Sequence, residues 1–415
     1  MTEDIVLRQP SEADFPRFIA PLSIAFNQEL SPAAVENDRH TIELDRFVGA
    51  LDGESVVGCA GAYTFRLTVP GGEVGAAGVT AVGVLPSHRR RGILRQMMTW
   101  LLDQAREREE SVAILWASEA AIYRRFGYGP GTIQTNIDVA KDKLRFIHPV
   151  DAPGRMRIVD LDEALERFPP IYDAVRPGMP GAVTRSTARW RYETLADEEW
   201  MRYGNGQKVL ALYEIEGHAS GYVIYRTRGD WDHQGPKGVL TALEVCALDP
   251  TTEQAIWQWL SGIDLIATIR GWRGPVPHPL QLMVVEPRRL SATITDGLWL
   301  RILDLPAALE ARAYCGAGRV VFDVTDEFRP WNAGRWQLSV GGDGAVGSAS
   351  VTAVDEATQP DVSLDISDLA ALYLGAFRVA DLVRPGRVRE CRSGGIAAAD
   401  ALFATSTAPS TSTMF

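Results

Sequence analysis

The sequence predicts an α/β fold in its first part and a mixed α+β fold in its last part. Segments rich in Val and small residues alternate with segments whose apolar residues recur at helical spacing. One such strand, residues 79–85, is joined to an amphipathic helix beginning at Ile93 by a turn with three arginines and a glycine. We therefore expect a sheet with helices between its strands, organised around this strand–turn–helix unit.

The elements of the first part are delimited by Pro, Gly, Ser and Asp residues. Ser11 is the predicted N-cap of the first helix, and Pro32 opens the second. Asp52-Gly53 predicts a hairpin turn. The predicted strands cover 5–7, 46–52, 55–64, 65–69, 79–85 and 112–117, and the predicted helices cover 13–25, 33–38, 93–105 and 120–126.

The turn of the central unit has the composition of an anion site. Pro86 ends the strand, and Arg89, Arg90 and Arg91 precede Gly92 at the start of the helix. The first helical turn presents unpaired N–H groups, a glycine lets phosphate oxygens approach them, and guanidinium groups add charge-assisted hydrogen bonds. A pyrophosphate is the natural ligand, and a solvated basic loop is the alternative. Gly-Lys-Ser/Thr is absent, which excludes a P-loop, and the earlier glycines of a dinucleotide fingerprint are also absent.

This strand, R-x-x-G-x-x and helix resemble motif A of the GCN5-related N-acetyltransferases (GNAT), although Leu94 stands where that family usually has Gly or Ala. HRRRG followed by two aliphatic residues, and ASEAAIYRRFGYGP at 117–130, resemble the Eis family of multi-acetylating N-acetyltransferases. The resemblance implies that the turn amides hold the pyrophosphate of acetyl-CoA and that the strand binds its pantetheine. The implied cofactor-binding residues are Val82, Gly83, Val84, Arg89, Arg90, Arg91, Gly92, Ile93, Leu94, Arg95, Ser118 and Glu119.

The candidate catalytic residues are Tyr123 and Phe415. A phenol hydrogen-bonded to the leaving sulfur can donate a proton to it, and the resemblance implies this role for the Tyr of IYxRFGYG. Tyr128 is the competing candidate, and a packing role is the alternative for Tyr123. The six histidines have no partner at fixed spacing to form a base. By composition the hydroxyl-rich C-terminus is a frayed tail, whereas in Eis-like proteins the terminal carboxylate, here that of Phe415, is the base.

Composition restricts the classes of function. The formal net charge of −11 argues against a nucleic-acid partner and mildly favours a cationic one. The four cysteines include no CxxC pair, so we expect a reduced, cytoplasmic protein without a metal. The N-terminus lacks an apolar signal core and no apolar run is long enough to span a bilayer.

The middle of the chain echoes the first part. A predicted strand at 243–248, then Asp249-Pro250-Thr251 and an apolar helix, repeat the central unit without its arginines and glycine, as a degenerate copy or by chance. Further strands are predicted at 207–211 and 221–225, and core positions at Trp190, Trp200 and Trp231. The last part is predicted to contain strands at 298–302, 320–324, 335–340, 351–353 and 362–366 and helices at 305–313 and 367–377.

The resemblance extends over the whole chain and implies three domains. These are two tandem acetyltransferase-like domains, at 1–146 and 147–292, and a sterol-carrier-protein-like domain at 293–415 whose tail reaches the active site. The linker between the first two is predicted near 146–153, where Pro and charged residues accumulate. A homo-hexamer is implied by the resemblance alone.

Two classes of function remain. The first is an acetyl-CoA-dependent transferase for primary amines of polycationic small molecules such as aminoglycosides, or for lysine side chains of peptides or proteins, with the Val82 amide stabilising the oxyanion. The second is an acyl-CoA-binding sensor without turnover. A cationic acceptor needs acidic residues in its pocket, and otherwise these residues belong to a solvated surface. The candidate pocket residues are Glu29, Glu36, Asp38 and Glu119, with Phe26 and Trp116 as aromatic walls.

Overall fold

The computed structural model describes residues 5–151 and 153–415. By its contacts the chain divides into two compact units. The first unit contains the described residues through Gly131, Leu298–Ser406 and Met414–Phe415, and the second contains Thr132–Gly297 and Thr407–Thr413. This division differs from the segments 1–146, 147–292 and 293–415, which stay a prediction.

In the first part of the chain, strands and helices alternate as expected. The elements are β1 (Val6–Arg8), α1 (Phe15–Ala25), α2 (Pro32–Asp38), β2 (Phe47–Asp52), β3 (Ser55–Val69), β4 (Gly72–Val84), α3 (Ile93–Glu107), β5 (Val112–Trp116), α4 (Ala120–Tyr123) and β6 (Gly129–Pro130).

Three local predictions in this part were wrong. The predicted strands 55–64 and 65–69 are one strand, β3, because both halves pair with β4 without a turn between them. For the same reason β4 begins at Gly72, seven residues before the predicted start. Ser11 does not cap α1, because its N–H and hydroxyl both donate to the Asp14 carboxylate and the helix begins at Phe15.

The second unit is built from the middle of the chain. Its elements are β7 (Ile133–Ala140), β8 (Arg155–Val159), α5 (Leu161–Val175), α6 (Thr187–Arg189), β9 (Lys208–Ile215), β10 (His218–Arg228), β11 (Trp231–Asp232), β12 (Gly235–Pro236), β13 (Gly238–Ala247), α7 (Pro250–Gly262), β14 (Ile266–Gly274), α8 (Leu280–Met283) and β15 (Thr293–Asp296). Trp190 is buried here as predicted, but Trp200 and Trp231 are 39% and 63% exposed, so their predicted core positions were wrong.

The last part of the chain returns to the first unit. Its elements are β16 (Leu298–Ile302), α9 (Leu305–Glu310), β17 (Gly318–Thr325), β18 (Gly334–Val340), β19 (Ala349–Ala353), β20 (Val362–Asp365), α10 (Ile366–Tyr373), α11 (Val379–Val383), β21 (Val388–Glu390) and α12 (Gly395–Phe403). A five-stranded sheet of order β19-β18-β17-β20-β21 forms the body of this part.

The two larger sheets each have seven strands. The first unit has the order β1-β2-β3-β4-β5-β16-β6, so β16 is inserted beside β5 although it lies almost 200 residues later in sequence. The second unit has the order β15-β7-β14-β13-β10-β9-β8. Strand β7 lies before the linker predicted near 146–153 but pairs with β14 and β15 of the second sheet.

The core of the first sheet lies on both of its faces. Helix α3 contributes fully buried Met97, Met98 and Leu102 to one cluster, and α1 contributes Phe15 and Ile19 to another. Successive residues of a strand point to opposite faces. The neighbours Phe47 and Val48 of β2 accordingly belong to different clusters, so α1 and α3 cover the two faces.

Candidate active site

Strands β4 and β5 diverge in the middle of the first sheet. Their parallel pairing runs from Ala76↔Val112 to Gly78↔Ile114 and stops there. Strand β4 continues to Val84, while Leu115 and Trp116 at the end of β5 pair with β16 on its other side. The backbone of β4 beyond Gly78 therefore has no partner in β5. An extended ligand with amide groups can form hydrogen bonds with such an edge.

A β-bulge interrupts β4 just beyond this point. The register to β3 passes from Gly61↔Thr80 to Cys59↔Gly83, which leaves Ala81 and Val82 outside the regular pairing. Ala81 has a φ of 53°, in the left-handed region that L residues rarely adopt. The Cys59 thiol donates to the Ala81 carbonyl at 3.2 Å, and burial raises the pKa of this thiol to about 12, so it keeps its proton.

The turn after β4 leaves the N-terminus of α3 open. Gly92 is the N-cap, has a φ of 82° and offers no side chain to the first helical amides. A Cβ built at Gly92 would meet nothing within 4 Å, so the space in front of these amides is free. Arg89 and Arg90 are exposed beside it. Arg89 Nε donates to the Val84 carbonyl at 3.4 Å, and Arg91 is paired with a carboxylate, because its Nη1 lies 2.9 Å from Oδ2 of Asp52.

The predicted cofactor-binding residues share one edge of the sheet. Val82, Gly83 and Val84 form the end of β4, residues 89–95 surround the N-terminus of α3, and Ser118 and Glu119 follow β5. Parallel strands end at the same edge, which is why these separate segments meet. Two of the residues also have packing roles. A Cβ at Gly83 would lie 2.8 Å from Leu22 of α1, and the Arg95 guanidinium lies 4.9 Å from the Phe328 ring centre.

Tyr123 and Tyr128 differ in their surroundings. Tyr123 is 5% exposed, and burial raises the pKa of its phenol, while a hydrogen bond with Ser118 acts in the opposite direction. The phenol is therefore protonated at neutral pH and already has a polar neighbour. Tyr128 lies 6.0 Å away between ring centres and is fully buried, and its hydroxyl has no hydrogen-bond partner.

The segment that follows Tyr123 packs against helix α10. Asp368 of α10 is 1% exposed and forms ion pairs with Arg124, at 3.4 Å, and with Arg387. A Cβ at Gly129 would lie 1.9 Å from the Ser367 carbonyl oxygen, so only glycine permits this contact. The C-terminal part of the chain therefore supports the Tyr123 segment. This support is not predictable from local sequence, where the glycines of FGYG are its only signal.

The ring of Phe415 lies beside the point where β4 and β5 diverge. Its centre is 4.9 Å from that of Phe65 on β3, and a Cβ at Gly78 would lie 3.2 Å from its Cε2. Gly78 is the last residue of β4 that pairs with β5. The tail before it is not frayed, contrary to what composition predicts, since Ser410, Thr411 and Thr413 are buried.

A groove on α1 and α2 collects two of the acidic candidates. It has a volume of about 710 Å³ and is lined by Glu29 and Glu36 together with Ile19, Ile24 and other residues. Asp38, Glu119, Phe26 and Trp116 do not line this groove. Glu36 lies 3.4 Å from the Arg39 guanidinium, which also lines the groove, so Glu29 is the acidic group left for a cationic ligand.

The second unit repeats the strand–helix arrangement without the open turn. Strand β13 pairs in parallel with β14 as far as Ala242↔Gly271 and leads into α7. The N-cap of α7 is Asp249, whose carboxylate accepts from the Thr252 N–H at 2.9 Å and from its hydroxyl at 2.7 Å. These hydrogen bonds hold the pKa of Asp249 below its ordinary value. At the N-terminus of α7 a negatively charged side chain therefore occupies the position that Gly92 leaves open in α3. This charge disfavours the binding of an anion at α7.

Comparison with known proteins agrees with this geometry. Residues 6–131 and 181–302 each match the family described as acetyltransferase (GNAT) domain, and residues 305–412 match the sterol carrier protein domain. The chain is thus an N-acetyltransferase with two GNAT domains followed by a sterol-carrier-like domain, and the predicted fold class is confirmed.

The particular family follows from full-length relatives. The N-acetyltransferase Eis of Mycobacterium tuberculosis is 34% identical over 419 residues, which cover 96% of this chain and 97% of that one. An uncharacterized N-acetyltransferase of Streptomyces avermitilis is 40% identical over 88% of both chains. The crystal structure of Eis1 from Mycobacterium abscessus has a TM-score of 0.84 at 32% identity and covers 99% of this chain and all of its own. The chain belongs to the Eis family of N-acetyltransferases.

In residues 5–151 and 153–415, no helix is long and apolar enough to cross a membrane. Within the same described ranges, no group of three or more His, Cys, Asp or Glu residues could hold a metal ion.

Proposed function

We propose that this enzyme transfers the acetyl group of acetyl-CoA to a primary amine of a polycationic small molecule such as an aminoglycoside, or to a lysine side chain. The observation that carries the proposal is the divergence of β4 and β5, where the ring of Phe415 lies beside Gly78. The open, basic N-terminus of α3 and the protonated phenol of Tyr123 belong to the same unit and support it.

The chain's groups fit the donor acetyl-CoA. The free amides behind Gly92, with Arg89 and Arg90, suit a pyrophosphate, and the unpaired edge of β4 suits the amides of a pantetheine arm. When bound, the donor supplies an acetyl group activated as a thioester. The Val82 amide lies in the bulge of β4, outside the regular pairing, and is our candidate hydrogen-bond donor to the thioester carbonyl oxygen.

Two proton transfers then fall to residues of this chain. The amine must lose a proton as its nitrogen bonds to the acetyl carbon, and the α-carboxylate of Phe415 is the acceptor. The sulfur must gain one as the carbon–sulfur bond breaks, and the Tyr123 phenol is the donor. An α-carboxylate in water has a reference pKa of about 3.5, so desolvation or a bridging water must raise its basicity.

The acceptor is proposed to be cationic. The net charge of −11 attracts cations in general, and Glu29 in the groove of α1 and α2 is an acidic group available to bind one. From the family resemblance we also propose a cytoplasmic homo-hexamer without a nucleic-acid partner.

The test measures release of the CoA thiol with a panel of aminoglycosides, polyamines and lysine peptides. The full-length enzyme is compared with Tyr123→Phe and with a chain ending at Met414. We expect turnover with a cationic amine and at least a tenfold loss in both variants, which corresponds to about 1.4 kcal/mol of transition-state stabilisation.

Tyr128→Phe is the matched control. It removes a buried hydroxyl that has no hydrogen-bond partner, so activity and stability should stay near those of the parent. If Tyr128→Phe loses activity and Tyr123→Phe does not, the two tyrosines have been assigned in the wrong order. If the chain ending at Met414 is as active as the parent, the Phe415 carboxylate is not the base.

A further inference from the structure

The second GNAT domain has a cleft where the first has its proposed donor site. Pairing of β13 with β14 ends at Ala242↔Gly271, as pairing of β4 with β5 ends at Gly78↔Ile114. Beyond that pair, a small cavity of about 90 Å³ remains, lined by residues 242–245 of β13 and 271–274 of β14. Ser410, Thr411 and Ser412 line it too. The cleft is thus occupied by the tail of this same chain.

The tail is held by hydrogen bonds to buried groups. Arg185 Nε donates to Thr413 Oγ1 at 2.9 Å, and its Nη2 donates to Ser412 Oγ at 3.0 Å. The Tyr172 hydroxyl lies 3.3 Å from the same Thr413 oxygen. The Ser410 N–H donates to the Pro180 carbonyl at 2.8 Å. Both side-chain and backbone groups of the tail are therefore recognised.

Arg185 is buried, and its charge is neutralised by Glu244 while its remaining N–H groups donate to the tail. Its Nη1 and Nη2 contact the two carboxylate oxygens of Glu244 at 2.9 and 2.7 Å, and Tyr222 donates to the same carboxylate. Burial raises the pKa of Glu244, but the charge of Arg185 and the hydrogen bonds outweigh it, so Glu244 is ionised. Without the tail, the Arg185 Nε would lose its partner Thr413 while it is still stacked 4.0 Å from the Tyr172 ring centre. An unpaired buried donor is costly.

A glycine allows the tail backbone to approach. Gly181 has a φ of 99°, and a Cβ there would lie 3.2 Å from the Ser410 carbonyl oxygen. The pair Pro180-Gly181 therefore offers one backbone carbonyl to the tail and no side chain that would displace it.

We infer that the second GNAT domain is a binding module for an uncharged, hydroxyl-rich peptide, and that its ligand is the tail Thr407–Thr413 of this chain, seated between β13 and β14. The inference rests on the proposed function for its biological use, because Met414 and Phe415 are the next two residues after this tail. Arg185 is then a positioning residue, since it contacts the tail and not the reacting groups.

The test uses the chain shortened to end at Ser406 and a synthetic peptide, TAPSTST, that corresponds to residues 407–413. We expect saturable binding by calorimetry. Replacing Ser412 by Ala and Thr413 by Val in the peptide should weaken it about tenfold or more, because both hydroxyls accept from a guanidinium. Absence of binding, or equal binding of the substituted peptide, would overturn the inference.

A second measurement uses the full-length protein, in case the shortened chain fails to fold. Carboxypeptidase digestion followed by intact mass reports how far the tail is removed. Digestion of the parent should stop near Thr413, and the double variant Ser412→Ala/Thr413→Val should be trimmed through residue 407 about tenfold faster. Equal trimming counts against the inference. The two proposals can fail separately, because the peptide lacks Phe415. If the peptide binds but the chain ending at Met414 turns over as fast as the parent, the Phe415 carboxylate is not the base, and the peptide-binding inference still stands.

Discussion

At the scale of single residues, the candidate site depends on positions where a side chain is small or absent. A Cβ at Gly78 would lie 2.3 Å from the Phe65 ring and 3.2 Å from that of Phe415. Gly83 admits Leu22 of α1, and Gly92 leaves the helix amides open. Each glycine thus allows a different group to approach the same strand–turn–helix unit.

A buried histidine of the second unit, His278, should make the stability of the protein depend on pH. Burial lowers the pKa of His278 in the second unit to about 4, and the Leu280 N–H donates to its Nδ1 at 3.2 Å, which requires the neutral ring. The unfolded chain takes up this proton below about pH 6.5, and the folded chain does so only near pH 4. Stability contributed by the neutral ring is therefore present above pH 6.5 and is lost as pH falls, by about 2 kcal/mol at pH 5.

Denaturant unfolding at pH 7.5 and pH 5 measures this loss. His278→Gln should show a smaller difference between the two pH values than the parent does. The exposed His218 provides the control, and His218→Gln should behave like the parent. An identical pH dependence in all three proteins would show that His278 does not titrate as inferred.

At the scale of elements, two copies of one arrangement have opposite chemistry. The N-cap of α3 is Gly92, with free amides behind it and arginines before it. The N-cap of α7 is Asp249, whose carboxylate already accepts from the first helical turn. The helix dipole favours a negative group at both N-termini. In the first copy that group must come from a ligand, and in the second it is part of the chain.

Arg90→Gln tests the first of these helix N-termini. Arg90 is exposed beside the free amides, so its loss should raise KM for acetyl-CoA about threefold or more with little change in kcat or melting temperature. The effect should shrink as salt rises, because the contact is exposed. Arg319→Gln, an exposed arginine of β17, is the control and should leave KM unchanged. A KM for Arg90→Gln equal to the parent's would argue for a solvated loop.

At the scale of the whole molecule, the tail connects parts of the chain that are far apart in sequence. Residues 298–406 belong to the first compact unit, Thr407–Thr413 to the second, and Met414–Phe415 to the first again. Of the last nine residues, seven thus belong to the second unit and two to the first, which composition alone does not suggest.

A C-terminal extension tests the importance of this ending. Two glycines added after Phe415 keep its ring and move the free carboxylate away from it. We expect kcat to fall at least tenfold with an unchanged melting temperature, since the proposed base is displaced. The same two glycines added at the N-terminus should have no effect. Full activity of the C-terminally extended enzyme would contradict the proposed role.

Local sequence determined the strand–turn–helix unit, the hairpin at Asp52-Gly53 and the helix that begins at Pro32, because each depends on residues within one or two turns of chain. The family itself was readable for the same reason, since its motif is the continuous segment 117–130. The lengths of the strands were harder to predict from sequence. That β3 is one strand depends on its pairing with β4 and not on its residue types.

Tertiary structure alone decided how distant segments meet. The point at which β4 and β5 diverge depends on β16, which pairs with β5 from far along the chain. The contacts of Arg124 with Asp368 and of Arg185 with Thr413 join residues more than 200 positions apart. A short window of sequence holds only one partner of each such pair, and the packing of the folded chain selects the other.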